Sequence, residues 1–303
     1  MSRVSARRSS TAPAVGGPRP GPVRGALRAT GATLRRVPGS VVVSVLVLAV
    51  LALWALAPAL FAPGALDQDL GIGVTPAGTP GHLFGTDSLG RDVLALSIAG
   101  ARSALAGPIV IAIGSMICGL VLGLTAAWFG TWWDALVSRT AEILLSLPVT
   151  LLAIVVAGIL GGGYWATVGV LVLLFAPSDV RMIRAAALQQ LPKPYLEATR
   201  VLGLATPRIL VRHLLPNVLP IVWANLFVNV AFALVSLSGL SYLGFGVSAQ
   251  AADWGRQLAD GRDFLYQNPA GSVVPGVLII LAATAINIAG DYFAERAEER
   301  IGA

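Results

Sequence analysis

Tyr195–Pro220 reads YLEATRVLGLATPRILVRHLLPNVLP, a charged, amphipathic stretch held between two long apolar ones. It is too polar to lie in hydrocarbon, where an ionised side chain costs several kcal/mol. Gly203 can take the left-handed conformation that ends a helix. Thr206 is a candidate N-cap, and Pro207 suits the first helical position, where its missing N–H costs nothing. The pattern predicts two short helices joined by a tight turn, the second closed by Pro216, exposed on one side of a membrane.

The rest of the chain has the composition of a bilayer protein. Its 303 residues are 56% hydrophobic and only 12% charged, with mean hydropathy +0.78. A soluble domain carries about 25% charged residues, so the apolar surplus must face lipid. The apolar runs are continuous rather than alternating, which selects helices over a barrel. The expected fold is therefore an all-α polytopic membrane protein. Net charge is +6, and eight arginines precede residue 40 with no acidic residue among them. A basic tail ahead of an apolar span places the N-terminus in the cytoplasm. That adjacent span argues against a nucleic-acid-binding arm. Arg7-Arg8 starts no twin-arginine signal, because the apolar run begins some thirty residues later and is too long for a signal core.

Six transmembrane helices are predicted, over about 41–61, 103–128, 135–160, 166–183, 219–245 and 273–293. Both termini then fall in the cytoplasm, as do a disordered basic tail, 1–40, and a short charged tail, 294–303. The six-span membrane domain covers 41–293, with the cytoplasmic loop at about 186–216. Residues 64–100 and 246–270 form external loops. In the first, Thr86 or Asp87 is the expected cap of a helix beginning near Leu89. Trp132 and Trp133 belong at a bilayer interface. Arg139 and Glu142, three apart, can pair. Asp179 and Arg181 are placed near the inner end of the fourth crossing, within reach of the interface.

Several chemistries are excluded. The chain's one lysine, Lys193, is followed by Pro194, so no Gly-Lys-Ser/Thr phosphate loop exists. His82, His213 and Cys118 are too scattered to ligate a metal, and a lone cysteine closes no internal disulfide. A membrane-embedded serine nucleophile at Ser238 or Ser241 lacks a histidine or lysine base in the spans. What the spans do offer is uncharged polar groups: Asn225, Asn229, Ser238, Ser241 and Asn287. These either line a path for a polar solute or join helix to helix.

The 195–220 stretch resembles the EAA loop of bacterial ABC-importer permeases. That pattern is Glu-Ala-Ala, a glycine four residues after the last alanine, then Ile and His-x-x-Pro-Asn. The matching positions here are Glu197, Ala198, Thr199, Gly203, Ile209, His213 and Pro216-Asn217. HLFGTDSLGRD (His82–Asp92), LSYLGFG (Leu240–Gly246), Trp254-Gly255, Pro275-Gly276 and Asn287 with Gly290-Asp291 are similar to the C-type subunit of the dipeptide/oligopeptide/nickel branch. The resemblance covers roughly residues 40–293. Thr199 departs from the usual alanine, and Leu237 stands where the pattern has a glutamate.

The resemblance implies a non-catalytic subunit in the cell inner membrane that binds no cofactor, ATP being bound by partner subunits. A second, B-type permease would complete a twelve-span path. One or two kinds of P-loop ATPase would dock on Glu197, Ala198, Thr199, Gly203, Ile209, His213 and Pro216. An extracytoplasmic solute-binding protein would deliver di- or oligopeptides, with nickel complexes or another small solute as the alternative cargo. Asp87, Arg91, Asp92 and Trp254 would steady the external face or meet that protein. A stand-alone secondary transporter would need coupling charges at mid-membrane, and none is clearly placed there.

Overall fold

A computed structural model describes residues 37–247 and 251–301. Among them the regular elements are all helices, with isolated β-bridges at Thr79–His82 and Thr86–Asp92 in the loop that precedes the second long helix. Among the described residues five helices are long and apolar enough to cross a membrane, or up to six if one bent pair is a single broken span rather than a re-entrant loop. Most of the expected basic tail lies outside the described residues.

Helix α1 (Gly39–Leu56) stops before the expected end at Phe61 because Pro58 opens a separate turn, α2 (Pro58–Phe61). Helix α3 (Val93–Phe129) has 37 residues, about 55 Å at 1.5 Å per residue. It starts ten residues ahead of the expected span. Its N-cap is Asp92, whose carboxylate accepts from the Ala95 N–H at 2.8 Å. The expected caps are engaged elsewhere: Thr86 donates to the Gly73 carbonyl, and Asp87 holds Arg91.

The expected third span, 135–160, is two helices, α4 (Thr131–Leu145) and α5 (Val149–Ile159), bent by 90°. Pro148 explains the break. It has no N–H to donate, and its ring disfavours a helical conformation at Leu147. Helix α6 (Tyr164–Gln190) runs seven residues past the expected end at Ile183. Asp179 therefore lies eleven residues before its end.

The elbow follows: α7 (Pro194–Val201) and α8 (Thr206–Ile209), which passes through a π turn, Leu210–Leu214, into α9 (Leu215–Tyr242). Pro216 does not close a short second helix, as its sequence context suggested. A prolyl ring clashes with the carbonyl four residues back in a regular helix. The π turn, in which Leu215 N–H donates to the Leu210 carbonyl, relieves that constraint and lets the chain continue. Helices α10 (Trp254–Gly261) and α11 (Ala270–Ile301) complete the described chain.

Helix α3 is the central post, packed against α1, α6, α9 and α11. Gly119 and Gly123, four apart on α3, let the α6 backbone come close. A Cβ on Gly119 would stand 2.6 Å from the Asp179 Cβ, and one on Gly123 2.9 Å from the Val180 carbonyl oxygen. Small residues at this spacing are how helices gain van der Waals contact where lipid removes the hydrophobic drive. Large apolar side chains such as Leu46, Ile117, Leu173, Phe232 and Ile280 point outward, as a lipid or partner-helix environment demands.

Candidate functional site

The elbow is built by local rules. Lys193 is extended (φ −76°, ψ 141°) because Pro194 follows it, so α7 starts there. Gly203 ends α7 at φ +67°. Its N–H donates to the Arg200 carbonyl at 3.0 Å and the Leu204 N–H to the Thr199 carbonyl at 3.2 Å, the paired bonds of a Schellman turn. Ala205, not Thr206, is the N-cap of the next helix, one residue earlier than expected.

One face of this elbow is buried. Leu196, Ile209 and Leu214 are at most 2% exposed and pack on Leu124, Ile183, Ala187 and Val218. Each such burial stabilises by about 1.5–3 kcal/mol. Burial also pushes the Tyr195 hydroxyl above its ordinary pKa. One polar contact adds to the seat, and a second joins α6 to α4. The Arg200 guanidinium lies 4.4 Å from the centre of the Trp128 ring. Arg184 grips Asp134 with two nitrogens, its Nη2 at 2.6 Å from Oδ2.

The other face is open. Glu197, Ala198, Gly203, Pro216 and Asn217 are exposed. Val201 and Leu202 beside them are 83% and 74% exposed; these two apolar side chains were not singled out from the sequence, although their position just before Gly203 marks them. Thr199 and Ile209, also in the expected docking set, are buried. Both turn inward, and Thr199 donates its hydroxyl to the Leu196 carbonyl at 2.7 Å. His213 is half-buried, and its carbonyl accepts from the Asn217 amide at 2.7 Å.

At the opposite end of the bundle, the external-loop candidates form a buried frame. Asp87 and Arg91 are each 4% exposed and joined at 2.7 Å. Asp92 caps α3 while its second oxygen meets His82 Nδ1 at 2.8 Å. Trp254 is fully buried and donates to the Ser97 carbonyl at 2.7 Å. Gln257 donates to the Val93 carbonyl and accepts from Ser97, each at 3.0 Å. Asp253 caps α10 through the Arg256 N–H, and burial pushes its carboxyl above the usual carboxylate range.

The expected path residues separate. Asn225 and Asn229 share a face of α9, and both donate to Asp179 Oδ1 at 2.8 Å. Ser238 and Ser241 are buried beneath Gly255 of α10, so they face no open space within this chain. Asn287 is exposed on α11. Arg139 and Glu142 pair at 3.2 Å on the surface.

The chain is thus a helical bundle whose elbow joins two long apolar helices. Its residues 119–302, more than half the chain, match the family described as binding-protein-dependent transport system inner membrane component. A peptide permease protein of Brucella suis is 38% identical over 212 residues, covering 69% of this chain and 70% of the relative. The dipeptide transport system permease protein DppC of Alkalihalophilus pseudofirmus is 32% identical over 210 residues, covering 69% of each. The inward-facing methionine ABC transporter MetNI shares the fold, with TM-score 0.57 and 22% identity over 67% of this chain and 97% of that one. The chain belongs to the binding-protein-dependent transport system inner membrane component family. It is a multi-pass inner-membrane permease subunit of an ABC importer.

Proposed function

We propose that the permease imports di- or oligopeptides and that its elbow is the cytoplasmic seat of an ATPase subunit. The carrying observation is the elbow's two-sidedness: a buried apolar face fixes it to α3, α6 and α9, while Glu197, Ala198, Val201 and Leu202 are left outward. An element that joins two spans, is stiffened by a Schellman turn, and offers an acid beside an apolar ridge can pass force from a partner into the membrane. Glu197 meets a basic residue of the ATPase, and Ala198 permits close approach. ATP is bound by one or two kinds of partner ATPase. A second, B-type permease completes the path, and a solute-binding protein presents cargo at the Trp254 end. Both termini are cytoplasmic, in accord with the arginine-rich segment before residue 40. The cargo assignment is supported by the relatives named for peptide and dipeptide transport.

The test is uptake of a radiolabelled dipeptide and co-purification of the ATPase in Glu197→Arg and Gly203→Pro variants. Both variants should insert normally and lose both readouts. Wild-type uptake in both would remove the docking role. Uptake competed by nickel complexes but not by peptides would remove the cargo assignment.

A further inference from the structure

Asp179 is fully buried at the meeting of α3, α6 and α9. It lies eleven residues before the end of α6 at Gln190, and Asn225 lies ten residues after the start of α9 at Leu215. At 1.5 Å per residue both stand about 15 Å along their helices from the elbow. The two helices concerned are those that enter and leave the elbow. Apolar contacts join them on either side of Asp179, through Ile183, Val218 and Val222 toward the elbow and through Leu171, Leu174 and Leu237 beyond.

Between those two apolar zones sits one carboxyl group. Its Oδ1 accepts from both Asn225 and Asn229, while its Oδ2 has no hydrogen-bond partner. The Ser115 hydroxyl of α3 neighbours the same carboxyl and donates to the Ala112 carbonyl at 3.2 Å. A buried carboxyl with one satisfied oxygen is costly unless its donors stay in place. Both of those donors come from α9. Parting α6 from α9 would strip them away in a medium that offers no water.

We propose that Asp179, Asn225 and Asn229 are positioning residues, forming an interhelical clasp that makes α6, the elbow and α9 move as one lever. This rests on the coupling role proposed for the elbow. The asparagines act here on a neighbouring helix rather than on solute. The unpartnered Oδ2 keeps the clasp from being a permanent rivet, because a shift of α3 that turned the Ser115 hydroxyl would satisfy it.

The experiment has two arms and three variants: Asn225→Ala/Asn229→Ala, which removes the donors; Asp179→Leu, which removes the carboxyl and guards against misfolding of the first; and Asp179→Asn, which keeps an accepting oxygen. In the first arm, hydrogen exchange is followed on the full chain in lipid nanodiscs. Elbow amides 194–204 should exchange about tenfold faster in the first two variants, with α10 unchanged and Asp179→Asn close to wild type. In the second arm, the complete transporter in proteoliposomes should hydrolyse about tenfold more ATP per peptide imported in the same two variants. Unchanged elbow exchange in both variants would overturn the clasp whatever transport does. So would equal acceleration in α10, which marks general loosening. A wild-type complex that imports nothing would instead overturn the importer reading, and the exchange arm would still decide the clasp.

Discussion

The guanidinium of Arg200 stacks 4.4 Å from the centre of the Trp128 ring, placing the elbow helix directly on the end of α3. Helix α3 is the post on which α1, α6, α9 and α11 lean. Force applied at the elbow therefore reaches the centre of the bundle by a short route. The hydrophobic seat under Leu196 and Ile209 fixes position, and the cation over the indole fixes the angle of α7.

Arg200→Ala should loosen that angle without unfolding the bundle. A partly exposed cation–π contact is worth about 0.5–1 kcal/mol. The elbow amides should gain a two- to fivefold increase in hydrogen exchange. Arg200→Lys should recover part of the loss, since it keeps the charge but not the planar face. Exchange rates identical to wild type in Arg200→Ala would show that the contact adds nothing.

Gly203 offers a cleaner measurement, because a Cβ there would meet nothing within 4 Å. The cost of Gly203→Ala is then backbone strain alone at φ +67°, about 1–2 kcal/mol for an L residue in the left-handed region. Gly203→Asn should cost less, because asparagine tolerates that region. Unfolding free energies of the two variants in detergent, ranked wild type above Asn above Ala, are the expected result.

How much of this was open to a reader of the chain depends on the range of the forces involved. Gly203, Pro194 and the exposed Glu197 follow from local rules, which act within a few residues. The 90° break at Pro148 was equally local, yet the continuous apolar run from 135 to 160 hides it, since hydropathy carries no information about direction. The end of α6 was hidden because apolar composition marks where hydrocarbon begins, not where a helix ends; α6 continues as a helix to Gln190. The pairing of Asp179 with Asn225 and Asn229 joins residues 46 and 50 apart in sequence. Nothing in either segment alone announces such a contact.

Asp253 gives the loop end of the bundle a pH dependence. Its carboxyl is buried without a cationic partner, which raises its pKa above the ordinary 3.8. The folded state thus prefers the protonated form. The resulting stabilisation is complete below the unfolded value and is lost as pH rises through the higher folded value. Asp253→Asn removes the titration and keeps a good N-cap for α10. The difference in unfolding midpoint between Asp253→Asn and wild type should widen in favour of the variant as pH is raised from about 4. A difference that stays constant with pH would mean that this carboxyl titrates as it does in water.

The seat of α10 on α9 can be tested through a glycine with ordinary φ. A Cβ at Gly255 would be driven into the Ser238 carbonyl and stand 2.8 Å from the Ser241 Cβ, and neither is the flexible end of a side chain. Trp254, next in the chain, is fully buried and tied to Ser97, so α10 cannot slide outward to make room. Gly255→Ala should therefore cost about 1–3 kcal/mol, the usual range for overpacking. Gly169 in α6 is the control, being exposed with nothing within 4 Å of its Cβ position. Gly169→Ala should be neutral or stabilise by up to about 1 kcal/mol through helix propensity. Chemical unfolding of the two variants in the same detergent reads the contrast directly. If Gly255→Ala proves no worse than Gly169→Ala, α10 is not held as closely against Ser238 and Ser241 as the structure places it, and the buried frame around Trp254 loses its rigidity.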